Sequence, residues 1–149
     1  MRPVLQALVL AERIYTDAAS GKKIIAGTFN RINIKRRKKT TPDPTKVRQI
    51  HGGTSPGSPS AYISLTDVCP GTKIRLQFVS LTRNFVIFET EITIDCDDRL
   101  ATVELVADLP ELRIKESGIY TFEIVSEGEV LGSHRLTAEV TEETDQPEE

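Results

Sequence analysis

Apolar residues recur along the chain at period two, in short runs divided by residues that favour turns. That alternation is the mark of half-buried strands. In 73–81, Ile74, Leu76 and Phe78 fall on one face and Lys73, Arg75 and Gln77 on the other. In 85–95, Val86, Phe88, Ile92 and Ile94 oppose Glu89, Glu91 and Thr93. Ala101, Val103 and Leu105 alternate with Thr102 and Glu104, and Tyr120, Phe122 and Ile124 repeat the pattern. Glu127-Gly128 has hairpin-turn chemistry and leads into a last strand over 129–140. Towards the N-terminus, 4–16 predicts a long strand bent near Glu12, Ser20-Gly21 a turn, and 23–34 a second strand. Gly27 within it marks a bulge or a close backbone approach. A short strand over 61–67 precedes Pro70-Gly71, which suits the centre of a type II turn. The pattern predicts eight strands and no sustained helix. Asp108 to Leu112 alone predicts a helical turn, with Asp108 as N-cap and Pro110 near its start.

Eight short strands with one apolar face each must bury those faces against one another. The expectation is an all-β, two-sheet antiparallel β-sandwich with one long basic loop. Composition points the same way: Val, Ile and Thr number 41 of 149 residues, against 22 for Leu, Ala and Met, and β-branched side chains suit a pleated surface. The stretch Glu116-Ser-Gly-Ile-Tyr120-Thr-Phe122 resembles the Asp-x-Gly-x-Tyr-x-Cys motif of immunoglobulin domains, with Phe122 at the cysteine position. The resemblance implies an immunoglobulin-like sandwich in which the Tyr120 hydroxyl bonds backbone between Leu109 and Glu116.

Two segments fall outside the alternation. Residues 35–60 hold four of the eight prolines, three glycines and no aromatic residue. They read as a long loop, beyond ordinary hairpin length. Lys35, Arg36, Arg37, Lys38, Lys39, Lys46 and Arg48 oppose Asp43 alone, a net +6, which leaves −9 elsewhere in a chain of net charge −3. Residues 141–149 carry five acids and no base and read as a flexible acidic tail. The domain is therefore expected over 1–140.

The order of features also resembles a family of small bacterial domains with no established activity. Their shared elements are an apolar strand, a Gly-Lys turn and a strand of the form Ile-x-Gly-x-Phe-x-x-Ile. Here these are Val4 to Leu10, Gly21-Lys22, and Ile25, Gly27, Phe29 and Ile32. The resemblance implies a β-sandwich and a bacterial source, and carries no functional residues over.

The N-terminal apolar run, Val4 to Ala11, contains Gln6 and meets Glu12 and Arg13 at once. It reads as a buried strand rather than a signal peptide. No run reaches the ~18 apolar residues of a membrane helix, and two cysteines make no disulfide framework. A cytoplasmic, reduced protein is expected. Across two strand spacings in one sheet, Cys69 and Cys96 would lie roughly 9–10 Å apart, which predicts free thiols. Catalytic signatures are missing: no Gly-x-Ser-x-Gly, phosphate loop or dinucleotide fingerprint occurs. His51 falls in the basic loop, and His134 shares the parity of Leu136, as a half-buried histidine would. Asp67 and the group Asp95, Asp97 and Asp98 share one end of the predicted sandwich, where they read as calcium ligands or as turn-formers. No cofactor and no metal is expected.

The function expected from these features is a non-catalytic protein-binding or assembly module. Its candidate partner-binding residues are Lys35, Arg36, Arg37, Lys38, Lys39, Lys46 and Arg48, facing an acidic protein surface. The alternative is sequence-independent binding of nucleic acid through 35–48. No aromatic side chain is interleaved there for base stacking.

Overall fold

The computed structural model describes residues 2–37 and 58–143. Among them the chain forms nine strands: β1 (Val4–Thr16), β2 (Lys23–Thr28), β3 (Arg31–Arg37), β4 (Ser60–Thr66), β5 (Thr72–Ser80), β6 (Phe85–Ile94), β7 (Val103–Asp108), β8 (Gly118–Ser126) and β9 (Glu129–Glu143). A four-stranded sheet, β2-β1-β4-β7, packs on a five-stranded sheet, β3-β9-β8-β5-β6. This is the two-sheet sandwich that the alternation predicts.

The expected antiparallel eight-strand arrangement needs two corrections. The run 23–34 is two strands in different sheets, and β3 pairs with β9 in parallel, Arg31 opposite Thr137 and Arg37 opposite Glu143. The crossing lies at Phe29 and Asn30. Gly27 has φ +75°, and the Glu12 side chain lies over it, 2.9 Å from where a Cβ would sit; the β1–β2 register runs through it without a shift, so the glycine answers to this side-chain approach rather than to a bulge or a backbone one. Phe29 then turns into the core, 9% exposed. Its carbonyl oxygen lies 3.0 Å from His134 Nε2. A carbonyl can only accept, so Nε2 carries the proton, and the half-buried histidine anchors the crossover. The Thr137 N–H donates to the Asn30 carbonyl at 2.9 Å and starts the parallel ladder.

The core lies between the sheets. Leu10, Ile63 and Leu65 come from one side, and Ile32, Ile74, Leu76, Phe78, Phe122, Ile124 and Leu136 from the other. Phe78 sits at the centre of an aromatic group, its ring centroid 4.5 Å from Phe122, 5.5 Å from Tyr120 and 5.7 Å from Phe88. Tyr120 is 3% exposed, and its hydroxyl donates to the Glu116 carbonyl at 2.7 Å. That is the tyrosine-corner contact the motif implies. Arg83 clamps the same residue, Nη2 lying 2.8 Å from Glu116 Oε2.

The turns follow their chemistry. Cys69 to Thr72 closes on itself at 3.1 Å with Gly71 at φ +75°, and Glu127 and Gly128 both take positive φ between β8 and β9, as a type I′ hairpin requires. The helical turn expected at Asp108 to Leu112 does not form. The Leu109 N–H donates to the Pro59 carbonyl at 2.9 Å and prolongs the β4–β7 ladder. The chain then stays extended while Leu109, Leu112 and Ile114 enter the core. Among the described residues, no helix is long and apolar enough to cross a membrane.

Candidate functional site

The start of the basic run is a strand, not a loop. β3 does not stop at Ile34; its ladder continues through Lys35, Arg36 and Arg37, opposite Thr141, Glu142 and Glu143 of β9. The domain accordingly extends past residue 140, into the first part of the expected acidic tail. The physical cause is the alternation in 31–35. Ile32 and Ile34 are buried in the core, while Arg31 and Lys35 are exposed on the outer face. A strand held on its apolar face keeps pairing beyond the core as long as its neighbour supplies backbone partners. Lys38, Lys39, Lys46 and Arg48 lie outside the described residues, as do most of the expected loop, His51 included, and residues 144–149 of the tail.

β3 is one edge of the five-stranded sheet, and among the described residues no strand lies beyond it. On the outer face, Arg31 Nη2 lies 3.2 Å from Glu139 Oε2 of β9. β6 forms the opposite edge. There Ile92 and Ile94 turn to the core and Glu89 and Glu91 turn outward, both exposed. Arg75 Nε lies 3.5 Å from Glu89 Oε2 and Lys73 Nζ 3.8 Å from Glu91 Oε1. One sheet thus carries exposed bases at its β3 edge and exposed acids at its β6 edge, with opposite charges paired between β3 and β9 and between β5 and β6 on its outer face. The alternation of Glu89 and Glu91 against Lys73 and Arg75 is plain in the sequence. That β6 is an edge strand is not.

The acidic end loops do converge. The Asp67 N–H donates to the Arg99 carbonyl at 3.2 Å, which joins the end of β4 to the loop after β6. Within that loop, Asp98 Oδ1 accepts from the Leu100 N–H at 2.9 Å, an Asx turn of the kind that stabilises such loops. Among the described residues, no three His, Cys, Asp or Glu side chains come together where they could hold a metal ion. Cys69 and Cys96 are free, as expected, but not for the spacing expected. β4 and β6 lie in different sheets, so the two cysteines are not separated by two strand spacings of one sheet. Cys96 Sγ donates to the Asp98 carbonyl at 3.3 Å.

The outer face of the other sheet is more uniform. Tyr62 donates its hydroxyl to Glu104 Oε2, and this bond to the carboxylate, with partial burial, raises the phenol pKa above its ordinary value. No protein-family model matches the chain, and no curated protein matches it significantly.

Proposed function

We propose that this sandwich is a non-catalytic protein-binding or assembly module whose contact surfaces are the two edges of the five-stranded sheet. The observation that carries the reading is the pair of edge strands, unpaired on their outer sides among the described residues, with opposite outward charge, Arg31 and Lys35 on β3 against Glu89 and Glu91 on β6. An edge strand presents unpaired backbone N–H and C=O groups, a ready template for a further strand, and side-chain charge selects which strand is accepted. Of the two histidines, His134 is held structurally, its ring against the Phe29 carbonyl.

No aromatic side chain is interleaved with the basic residues of 35–48 for base stacking, which favours a protein partner over nucleic acid. The reading is tested by capture from a lysate on immobilised wild-type protein and on two charge-reversed forms, Arg31→Glu with Lys35→Glu and Glu89→Lys with Glu91→Lys. Proteins retained by the wild type should be lost from one reversed form. An identical set on all three, or tight salt-dependent binding of DNA or RNA abolished by the β3 reversal, would refute it.

A further inference from the structure

We infer that the partner of these edges is a second copy of this chain, docked head to tail so that β3 of one copy pairs with β6 of the next and the five-stranded sheet continues across copies. The inference rests on the protein-binding reading above and names its partner.

Strand direction comes first. β9 is parallel to β3, and β8, β5 and β6 then alternate in direction, so β6 runs opposite to β3 within one sheet. A copy placed beside the first in the same orientation therefore sets its β3 antiparallel to the first copy's β6. It also keeps the core-facing and solvent-facing sides of the sheet continuous. No inversion is needed.

Register comes second. Setting Glu91 opposite Lys35 also sets Thr93 opposite Asn33, and Asp95, one residue past β6, opposite Arg31. On the core-facing side the same register brings Ile92 to Ile34 and Ile94 to Ile32. Two acid–base pairs stand on one face and two isoleucine pairs on the other. A slip of two residues in either direction leaves only one ionic pair. Cross-strand pairs of opposite charge are the stabilising unit of such a ladder, and like charges directly opposite are repulsive.

The same charges exclude the symmetric alternatives. β6 against β6 opposes Glu89 and Glu91 to themselves, and β3 against β3 opposes Arg31 and Lys35 to their own kind. Only the heterologous pairing alternates in sign. Across the junction the order would be Lys73 and Arg75 of β5, Glu91 and Glu89 of β6, then Lys35 and Arg31 of the second copy's β3. This repeats at the junction the opposite-charge pairing present between β5 and β6 and between β3 and β9. A heterologous contact uses a different patch on each side, so it does not close on two copies and yields an open chain of sandwiches.

Sedimentation velocity over a concentration series tests the inference. At low ionic strength the wild type should show a sedimentation coefficient that climbs with concentration without a plateau at the dimer. At about 1 M salt, where charges are screened beyond about 3 Å, the climb should vanish. Glu89→Lys with Glu91→Lys, and separately Arg31→Glu with Lys35→Glu, should each weaken association by about tenfold or more. An equimolar mixture of the two should restore it, since each reversed edge then meets an opposite one. All four positions are exposed, and melting curves check that each variant is folded; Glu89→Gln with Glu91→Gln gives the same test without added repulsion. A wild type that stays monomeric at low salt up to millimolar concentration overturns the inference, as does a mixture that fails to restore association. Either result leaves the protein-binding reading to the capture experiment, which reports on foreign partners independently.

Discussion

β8 and β3 belong to the same sheet and do opposite work. β8 sits between β9 and β5 and is buried on both sides: Tyr120, Phe122 and Ile124 face the core, while Thr121 and Val125 are covered on the other face. β3 is buried on one side only, through Ile32 and Ile34, and shows Arg31 and Lys35 to solvent. A strand enclosed on both faces and both edges has no surface to offer, and its side chains set stability. A strand held by one face and one edge adds less to the core and leaves backbone and charge available for contact. In the proposed reading, stability and recognition are divided between strands of one sheet rather than between a scaffold and its loops.

The largest effect that sharpens this contrast is expected at Phe122, whose ring lies 4.5 Å from Phe78 and 5.9 Å from Phe88. Phe122→Ala removes a fully buried ring and should cost about 3–5 kcal/mol in chemical denaturation. A loss below about 1 kcal/mol would mean that the aromatic group is not the centre of the core.

Next comes Tyr120→Phe, which leaves the Glu116 carbonyl without its hydroxyl donor and should cost about 1–3 kcal/mol. The same corner should fail in alkali. Burial first, and the Glu116 carboxylate second, raise the Tyr120 pKa above the ordinary 10.0. A group whose folded pKa is raised contributes stability that is complete below its unfolded value and disappears as pH climbs through the folded one. Stability of the wild type should thus fall above about pH 10, and that part of the fall should be missing in Tyr120→Phe.

On β3 the expected stability change is small. Lys35→Glu alters an exposed side chain and should move the free energy of unfolding by no more than about 0.5 kcal/mol, while still weakening contact at the edge. A large loss of stability would show that the strand serves the core, as β8 does. The smallest effect lies at the turn after β1. There the Ser20 hydroxyl, 2.5 Å from Asp17 Oδ2, and the Ala19 and Ser20 amides hold the Asp17 pKa below its ordinary 3.8. A depressed carboxylate stabilises above its unfolded pKa and loses that contribution as pH falls through its folded value. The Ser20 amide resonance should therefore shift in acid only below the ordinary carboxylate range, and Asp17→Asn should abolish the shift.

Much of this architecture was legible in the sequence because period-two alternation and turn chemistry are local. The strands over 73–81 and 85–95 and the alternation of Tyr120, Phe122 and Ile124 could be assigned from their own side chains, and the Tyr120 contact followed from seven residues. What was not legible is non-local. Ile24 and Ile32 share one parity within 23–34, as a single strand would have them, yet they belong to different sheets. The division is made by the positive φ of Gly27 and by His134, 105 residues away, holding the Phe29 carbonyl. The parallel ladder of β3 on β9 joins positions 106 residues apart, such as Arg31 and Thr137. It converted the start of a supposed loop and the start of a supposed tail into paired strands. Likewise Glu89 and Glu91 read as an ordinary solvated face until the strand order placed them at an edge. A clear local signal also lost to a distant one: Asp108 and Pro110 have helix-start chemistry, but the core claims Leu109, Leu112 and Ile114 from an extended chain.

The central claim is that β3 of one copy lies antiparallel on β6 of the next with Lys35 opposite Glu91, and zero-length cross-linking reads that register directly. Equal amounts of unlabelled and heavy-isotope-labelled protein, mixed and treated with a carbodiimide, should yield an amide between the Lys35 amine and the Glu91 carboxylate in peptides that combine one light and one heavy partner. The link from Lys73 to Glu91, 3.8 Å apart within one copy, should appear only in peptides of a single isotope and serves as the internal control. Mixed-isotope peptides joining Lys35 to Glu91 or Glu89 are the predicted result. Mixed-isotope links confined to other surfaces, or none beside a strong control, would contradict the account.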